Sequence, residues 1–391
     1  MSVPREVGAA RHDGVVTTPT TATSATTPPR PTPPTLTLRT LNRTLLRRQL
    51  LDARAEVPVA EAVGRLLAVQ AQEPNWVFAG LWSRVAGFAR ADLEAAVEAR
   101  TLVRGPLLRG TQHLVTADDY PWLRPTIAPV LERLARSTYY RQQTDGIDPA
   151  DLVALAREVL GDDLVRRRDV GAALAARWPG RRGAVLAAAV EALTPVVHGP
   201  ATSAFGSWWS RRSIRVADAA SWLGAPMREP DVPALVHRYL AAFGPASVQD
   251  LQAFTGLTRL RPVVDALGLP AYRGPDGTEL LDVPGGELAE EDAPVPVRFL
   301  GAFDNAVLGH RDRTRLLPEA FRTTVMPGYS MVHATVLVDG FVAATWTVDD
   351  GVLAVRPPAP LPAGTEDEVL AEGARMAAFL GLDPTGVTVS R

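Results

Sequence analysis

Gln70 and Gln72 stand two apart in LAVQAQEPNW, the run from Leu67 to Trp76, and their spacing is the first in the chain that suggests chemistry. Glutamine neither titrates nor attacks; its carbonyl accepts and its NH2 group donates, so a pair of amides can orient water or stabilise developing charge. A site built on them suits a reaction whose leaving group departs without help from an acid. Residues two apart diverge by about 200° around a helix but share a face on an extended backbone, so the amides converge only if the chain straightens here. Pro74 favours this, because it disfavours helical geometry at Glu73.

The elements that must position the pair follow from apolar spacing. Leu38, Leu41, Leu45, Leu46 and Leu50 predict a first helix starting at Leu36, with arginines on another face. Val59, Val63, Leu66 and Leu67 predict a second helix that runs from Pro58 into the amide pair. Asp92 to Arg100 gives a third, and extended segments follow from Gly105 to Val115, broken at Gly105-Pro106 and Gly110. Three helices and a small hairpin make a winged-helix plan. Thr116-Ala-Asp-Asp then opens a connecting helix that runs to about Ser137.

The plan recurs twice. Helices are expected at Asp151 to Leu160, Asp169 to Trp178 and Gly183 to Leu193, followed by strand, turn and strand in TPVVHGPATSAFGSWW, where Trp208 and Trp209 are either wing aromatics or interdomain core. A third round has helices at Val236 to Phe243, Val248 to Phe254 behind the N-cap Ser247, and Leu257 to Leu267, then a hairpin around Gly274 to Gly277. Met331 to Val338, Phe341 to Val348 and Val352 to Arg356 read as strands joined by Asp339-Gly340 and Asp350-Gly351, before a last helix from Thr365 to Leu380 capped by Gly381. The expected fold class is α+β and mainly helical, with three tandem winged-helix units and a C-terminal antiparallel β/α part. The divisions are a disordered Thr/Pro tail over 1–35, units over 36–145, 146–228 and 229–295, and the C-terminal part over 296–391.

Composition removes several chemistries. There is no cysteine, hence no thiolate nucleophile, disulfide or Cys-ligated metal, and all 41 basic residues are arginine, hence no lysine imine and no Walker phosphate lysine. His198 and His333 lack ligand-type neighbours at useful spacing, so neither a metal nor a cofactor is expected. No run reaches transmembrane length and no signal-peptide core opens the chain, so a cytoplasmic protein is expected, with no membrane partner. Net charge is only -2, yet arginines cluster, as at Arg39, Arg43, Arg47 and Arg48 and at Arg311, Arg313 and Arg315, while acids gather at Glu279 to Asp292 and Asp349 to Glu368. That segregation suits one basic face for a polyanion.

Taken with VQAQ, the segments LLRGTQHLV, YLAAFGPASVQDLQAFTG and FLGAFDNAVLGHRDRTRLL occur in an order that resembles the AlkZ/YcaQ family of tandem winged-helix DNA glycosylases, over roughly Leu36 to Arg391. The resemblance implies that Gln70 and Gln72 are the catalytic pair, in the Gln-Gln form of the AlkZ branch, which unhooks bulky and interstrand-crosslinked purine adducts and protects producers of crosslinking natural products. It further implies a monofunctional enzyme acting, as a monomer associated with the nucleoid, on double-stranded DNA that carries alkylated purines or crosslinks. Arg109, His113, Asp304, Asn305, His310, Arg311 and Arg313 lie in the matching segments and are the candidates for substrate or DNA contact. Gln112 stands where the family pattern leads one to expect an apolar residue.

Two other readings use the same features. A non-catalytic winged-helix regulator would need a base-reading recognition helix, and GAVLAAAVEAL over Gly183 to Leu193 offers little for that purpose. A protein that sequesters a free alkylating compound would need an apolar pocket, which scattered arginines do not suggest.

Overall fold

Thr37 accepts the amide of Thr40 and starts the first helix, Leu38–Arg48, which buries Leu41, Leu45 and Leu46. The computed structural model describes residues 33–161, 163–199, 214–328 and 330–390. Most of the expected tail, together with Trp208 and Trp209, lies outside the described residues. The arginines of the first helix are not a free basic face. Arg39 donates to Asp339 at 2.8 Å, Arg43 pairs with the same carboxylate, and Arg48 donates to Asp282 at 2.6 Å.

The architecture is α+β, with sheets that are antiparallel except at one edge pairing. One six-stranded sheet has the order Val69–Gln70, Gln112–Thr116, Leu102–Pro106, Val196–His198, Arg215–Asp218, Val165–Arg166. It crosses the division expected near residue 145, because Arg104 of the first hairpin pairs with His198 of the second unit. A five-stranded sheet in the C-terminal part packs Phe299, Val336 and Trp346 against Val369 and Met376 of helix Glu366–Leu380. Its turns sit at Asp339-Gly340 and Asp350-Gly351, with φ of 48° and 79° at the first and 48° and 80° at the second. Both residues of each turn are left-handed, the geometry that matches strand twist in two-residue hairpins.

Two boundaries near the glutamines differ from expectation. The second helix is Val59–Arg65, ending before the amide pair, because Leu67 turns into the left-handed region at φ 65°. Pro74 starts helix Pro74–Trp82 as well as ending the extended stretch, since a proline in the first turn lacks only an N–H that would have no intrahelical partner. The connecting helix is three short helices, Tyr120–Thr126, Ala128–Ala135 and Thr138–Thr144. Elsewhere the expected helices are present, save that Leu257 to Leu267 is helical only over Arg261–Ala266. Ser247 caps Val248–Thr255 reciprocally with Asp250, and Gly381 ends the last helix at φ 76°.

Candidate active site

Gln70 ends the two-residue edge strand, paired with His113 across the sheet. The Ala71 N–H donates to the Gln112 carbonyl at 2.8 Å, and the Gln72 Oε1 accepts the Gln112 N–H at 3.1 Å. Both glutamines are thereby tied to one strand. Their exposure differs, however: Gln70 is buried, whereas Gln72 is exposed. Among the described residues the two amides share no hydrogen bond, so any cooperation between them passes through a third group.

Arg109 fixes Gln70. Its Nη2 donates to Gln70 Oε1 at 2.6 Å and to Asn305 Oδ1 at 3.1 Å, and its Nη1 donates to the Phe254 carbonyl at 3.0 Å. Asn305 in turn donates to the Ala68 carbonyl at 3.0 Å, just ahead of the motif. A guanidinium can only donate, so the Gln70 carbonyl must face it and the Gln70 NH2 group is left to present elsewhere. The Gln72 carbonyl is likewise engaged, by the Gln112 N–H, but it is exposed and keeps a second lone pair beyond the one that Gln112 uses. Burial, with Arg313 adding to it, pushes the Arg109 guanidinium down to about 10.

His113 is fully buried. Its Nδ1 donates to the Thr111 carbonyl at 3.0 Å, while Nε2 is buried without a partner. Burial and the neighbouring Arg109 push the imidazole down to about 3, so it is neutral at physiological pH. It is an acceptor beside the site and not an acid in it.

Asp304 and Asn305 have separate tasks. Asp304 caps helix Asn305–Leu308 and forms a two-armed ion pair with Arg84, 2.8 Å on each arm, both side chains being buried. Asp304 therefore works within the fold, and Arg84, its partner, was not among the residues singled out in the sequence. His310 is apart from this cluster. Its Nε2 meets the Phe243 carbonyl at 3.0 Å, its ring packs on Tyr239 and Phe243, and burial pushes it down to about 4, so it has no surface to offer a duplex. Among the described residues neither Arg311 nor Arg313 has a carboxylate partner; Arg313 keeps a buried Nε unpaired, and burial with the nearby Arg322 lowers its pKa. Arg311 is exposed and lines a cleft of about 650 Å³ with Leu38, Asp250 and Arg322, a volume that shares no residue with the glutamine cluster. Beside Gln70 the space is far smaller, about 20 Å³ between Gln70, Trp76, Arg84 and Asn305, or room for about one water.

Sequence reasoning missed Arg104, whose Nε donates to the Ala71 carbonyl at 2.8 Å, between the two glutamines. Its signal was a charged residue inside LVRGP, an otherwise apolar strand.

Comparison with known proteins gives one consistent picture. A family model described as DNA glycosylase AlkZ-like matches residues 63–379. An interstrand DNA cross-link repair glycosylase of Streptomyces sahachiroi is 28% identical over 347 residues, spanning 80% of this chain and 88% of that protein. The solved structure of Streptomyces sahachiroi DNA glycosylase AlkZ matches with a TM-score of 0.75, covering 91% of this chain and 100% of that one; at 24% identity it speaks for the fold.

Proposed function

We propose, on the premise that this chain belongs to the AlkZ-like family of DNA glycosylases, that it hydrolyses the N-glycosidic bond of alkylated purines in duplex DNA, N7-alkylguanine above all. The observation that carries the reading is the amide pair tied to one strand, Gln70 buried with its carbonyl on Arg109 and Gln72 exposed with its carbonyl on the Gln112 N–H. A purine alkylated on a ring nitrogen is already cationic, so its bond to the sugar breaks towards an oxocarbenium-like state without prior protonation of the base. The neutral His113 and the fully engaged Asp304 fit a site that has no such proton to give. In this reading Gln72 orients the attacking water through its carbonyl and stabilises the sugar's charge, and Gln70 fixes the same water through its NH2 group. Water adds to the anomeric carbon, the neutral alkylated base leaves and a proton passes to solvent. With no lysine in the chain, no side-chain imine forms and the abasic site stays intact.

The finer architecture belongs to the same proposal. We read the chain as three tandem winged-helix units that bring Gln70, Gln72 and the acid-free Arg311 and Arg313 towards one DNA duplex, acting as a monomer in the cytoplasm. Among the described residues no helix is long and apolar enough to cross a membrane. The Streptomyces sahachiroi relative is named for interstrand cross-link repair, and crosslinked purines are proposed as substrates here as well, for repair of, or self-resistance to, alkylating agents.

The test is excision of one N7-alkylguanine from a duplex under single turnover, read by alkaline cleavage at abasic sites. Wild type is expected to excise it and Gln72→Ala to lose about 100-fold or more, as when a preorganised charge-stabilising group is removed. A Gln72→Ala protein as fast as wild type would sink the reading.

A further inference from the structure

Behind the glutamine motif lies a chain of charged groups that the reaction as described does not use. Arg104 is at the centre of the six-stranded sheet and donates from Nε to the Ala71 carbonyl at 2.8 Å. Its Nη1 lies 2.7 Å from His198 Nδ1, and His198 Nε2 lies 3.3 Å from Glu191 Oε2. Arg167 pairs with the other oxygen of Glu191. Because a guanidinium only donates, His198 Nδ1 must be the bare nitrogen, which puts the ring proton on Nε2, pointing at Glu191. The tautomer is therefore fixed from both sides. Glu191 belongs to helix Gly183–Leu193 and His198 to the strand after it, so the second helical unit reaches the motif through this relay.

The arrangement is costly for a mere joint. Desolvation pushes Arg104 down to about 10, only partly countered by Glu191, which it reaches through a neutral ring and not directly. The packed joint of Arg84 and Asp304, by contrast, is a direct ion pair. What Arg104 contacts instead is the carbonyl of Ala71, the residue between the two glutamines, whose own N–H donates to the Gln112 carbonyl.

We propose that Arg104, oriented by His198 and Glu191, is a positioning residue for excision, fixing the Ala71 carbonyl so that the Gln70 and Gln72 amides on either side of it keep their places. The idea rests on the glycosylase reading above. Misplacement by about an ångström at such a site costs up to about 100-fold in rate.

The experiment uses the full-length protein and a duplex bearing one N7-methylguanine, with enzyme in excess, and measures excision rate, duplex affinity and thermal midpoint separately. Arg104→Gln is expected to slow the excision step by about 10- to 100-fold with duplex affinity unchanged. His198→Leu, which removes the acceptor, should slow it as well, and His198→Asn, which returns a carbonyl near the place of Nδ1, should recover part of the loss. The His198 pair carries the test where Arg104→Gln brings the thermal midpoint down to the assay temperature. Wild-type excision with Arg104→Gln or His198→Leu equally fast would overturn the positioning role and leave the glycosylase reading intact, and so would equal rates for His198→Leu and His198→Asn. No excision by wild type would remove the glycosylase reading itself, and this inference with it.

Discussion

Replacing Arg109 with methionine removes three donated hydrogen bonds, at 2.6 Å to Gln70, 3.1 Å to Asn305 and 3.0 Å to the Phe254 carbonyl, while keeping an unbranched chain over the Phe254 ring. The buried carbonyls of Gln70 and Asn305 are left without that partner, at about 1–3 kcal/mol each. Against this, the fold is relieved of a desolvated cation held down to about 10, a relief of about 3 kcal/mol at neutral pH. The two partly offset, so stability is expected to change by no more than about 3 kcal/mol in urea unfolding. Backbone strain does not enter the comparison, because Arg109 is left-handed at φ 56° and methionine inherits the same geometry. The rate has no such offset. A charge-assisted bond of about 1.5–3 kcal/mol is what holds the Gln70 carbonyl inward, and losing that preference corresponds to about 10- to 100-fold slower excision. Single-turnover excision of N7-methylguanine at saturating enzyme is the assay. A folded Arg109→Met protein with the wild-type rate would refute the claim that Gln70 works in the orientation Arg109 imposes.

Two further outcomes follow from the buried charges. His113 is neutral in the fold with its pKa at about 3, but takes up a proton near 6.5 when unfolded, so stability falls as pH drops below about 6.5 and goes on falling until about 3, where the loss levels off. Between pH 7 and 5 this one group accounts for about 2 kcal/mol, and urea titrations at the two pH values should show a smaller acid loss in His113→Asn by that amount. Arg84→Met should cost about 3–5 kcal/mol by leaving the Asp304 carboxylate buried and unpaired, and adding Asp304→Asn, which retains a capping oxygen for helix Asn305–Leu308, should return part of that; equal midpoints for the single and double variants would argue against the pair.

What the sequence made legible was local. Asp339-Gly340 and Asp350-Gly351 announce their turns because adjacent left-handed residues narrow the choice of side chain, and Ser247 announces a helix start because its hydroxyl has an orphan N–H within three residues. Pro74 was legible only in part: proline ends an extended stretch and opens a helix by the same fixed φ, and spacing alone shows only the first. The partners of Gln70 were not legible, since Arg109 is 39 positions away and Asn305 a further 196 from Arg109. His198 looked partnerless for the same reason. Glu191, seven positions back, faces it only because helix and strand fold onto each other, and Arg104, 94 positions back, only because two hairpins merge into one sheet.

The arginines show most clearly why type and count were not enough. On the sequence, Arg39, Arg43, Arg47 and Arg48 form the most regular basic stripe, the natural choice for a phosphate-binding face. In the fold Arg39 and Arg43 share Asp339, Arg47 takes Asp52 and Arg48 takes Asp282, so three of the stripe's four charges are already met by the protein's own acids. Around Gln70 the reverse holds. Arg109 binds only carbonyl oxygens, Arg313 has no carboxylate among the described residues, and each is partly withdrawn from water, with a second cation nearby. A desolvated cation without a counter-charge destabilises the free protein, and an arriving anion relieves it. Arg104 behind the motif and Arg124, which donates to the Glu191 and Ala192 carbonyls, bear that cost inside the protein; Arg109 bears it at the edge that carries the glutamines. On the glycosylase reading, a DNA phosphate approaching Arg313 would gain counterion release and lessen its repulsion with Arg109 in the same step, a link between duplex binding and the motif that no count of basic residues shows.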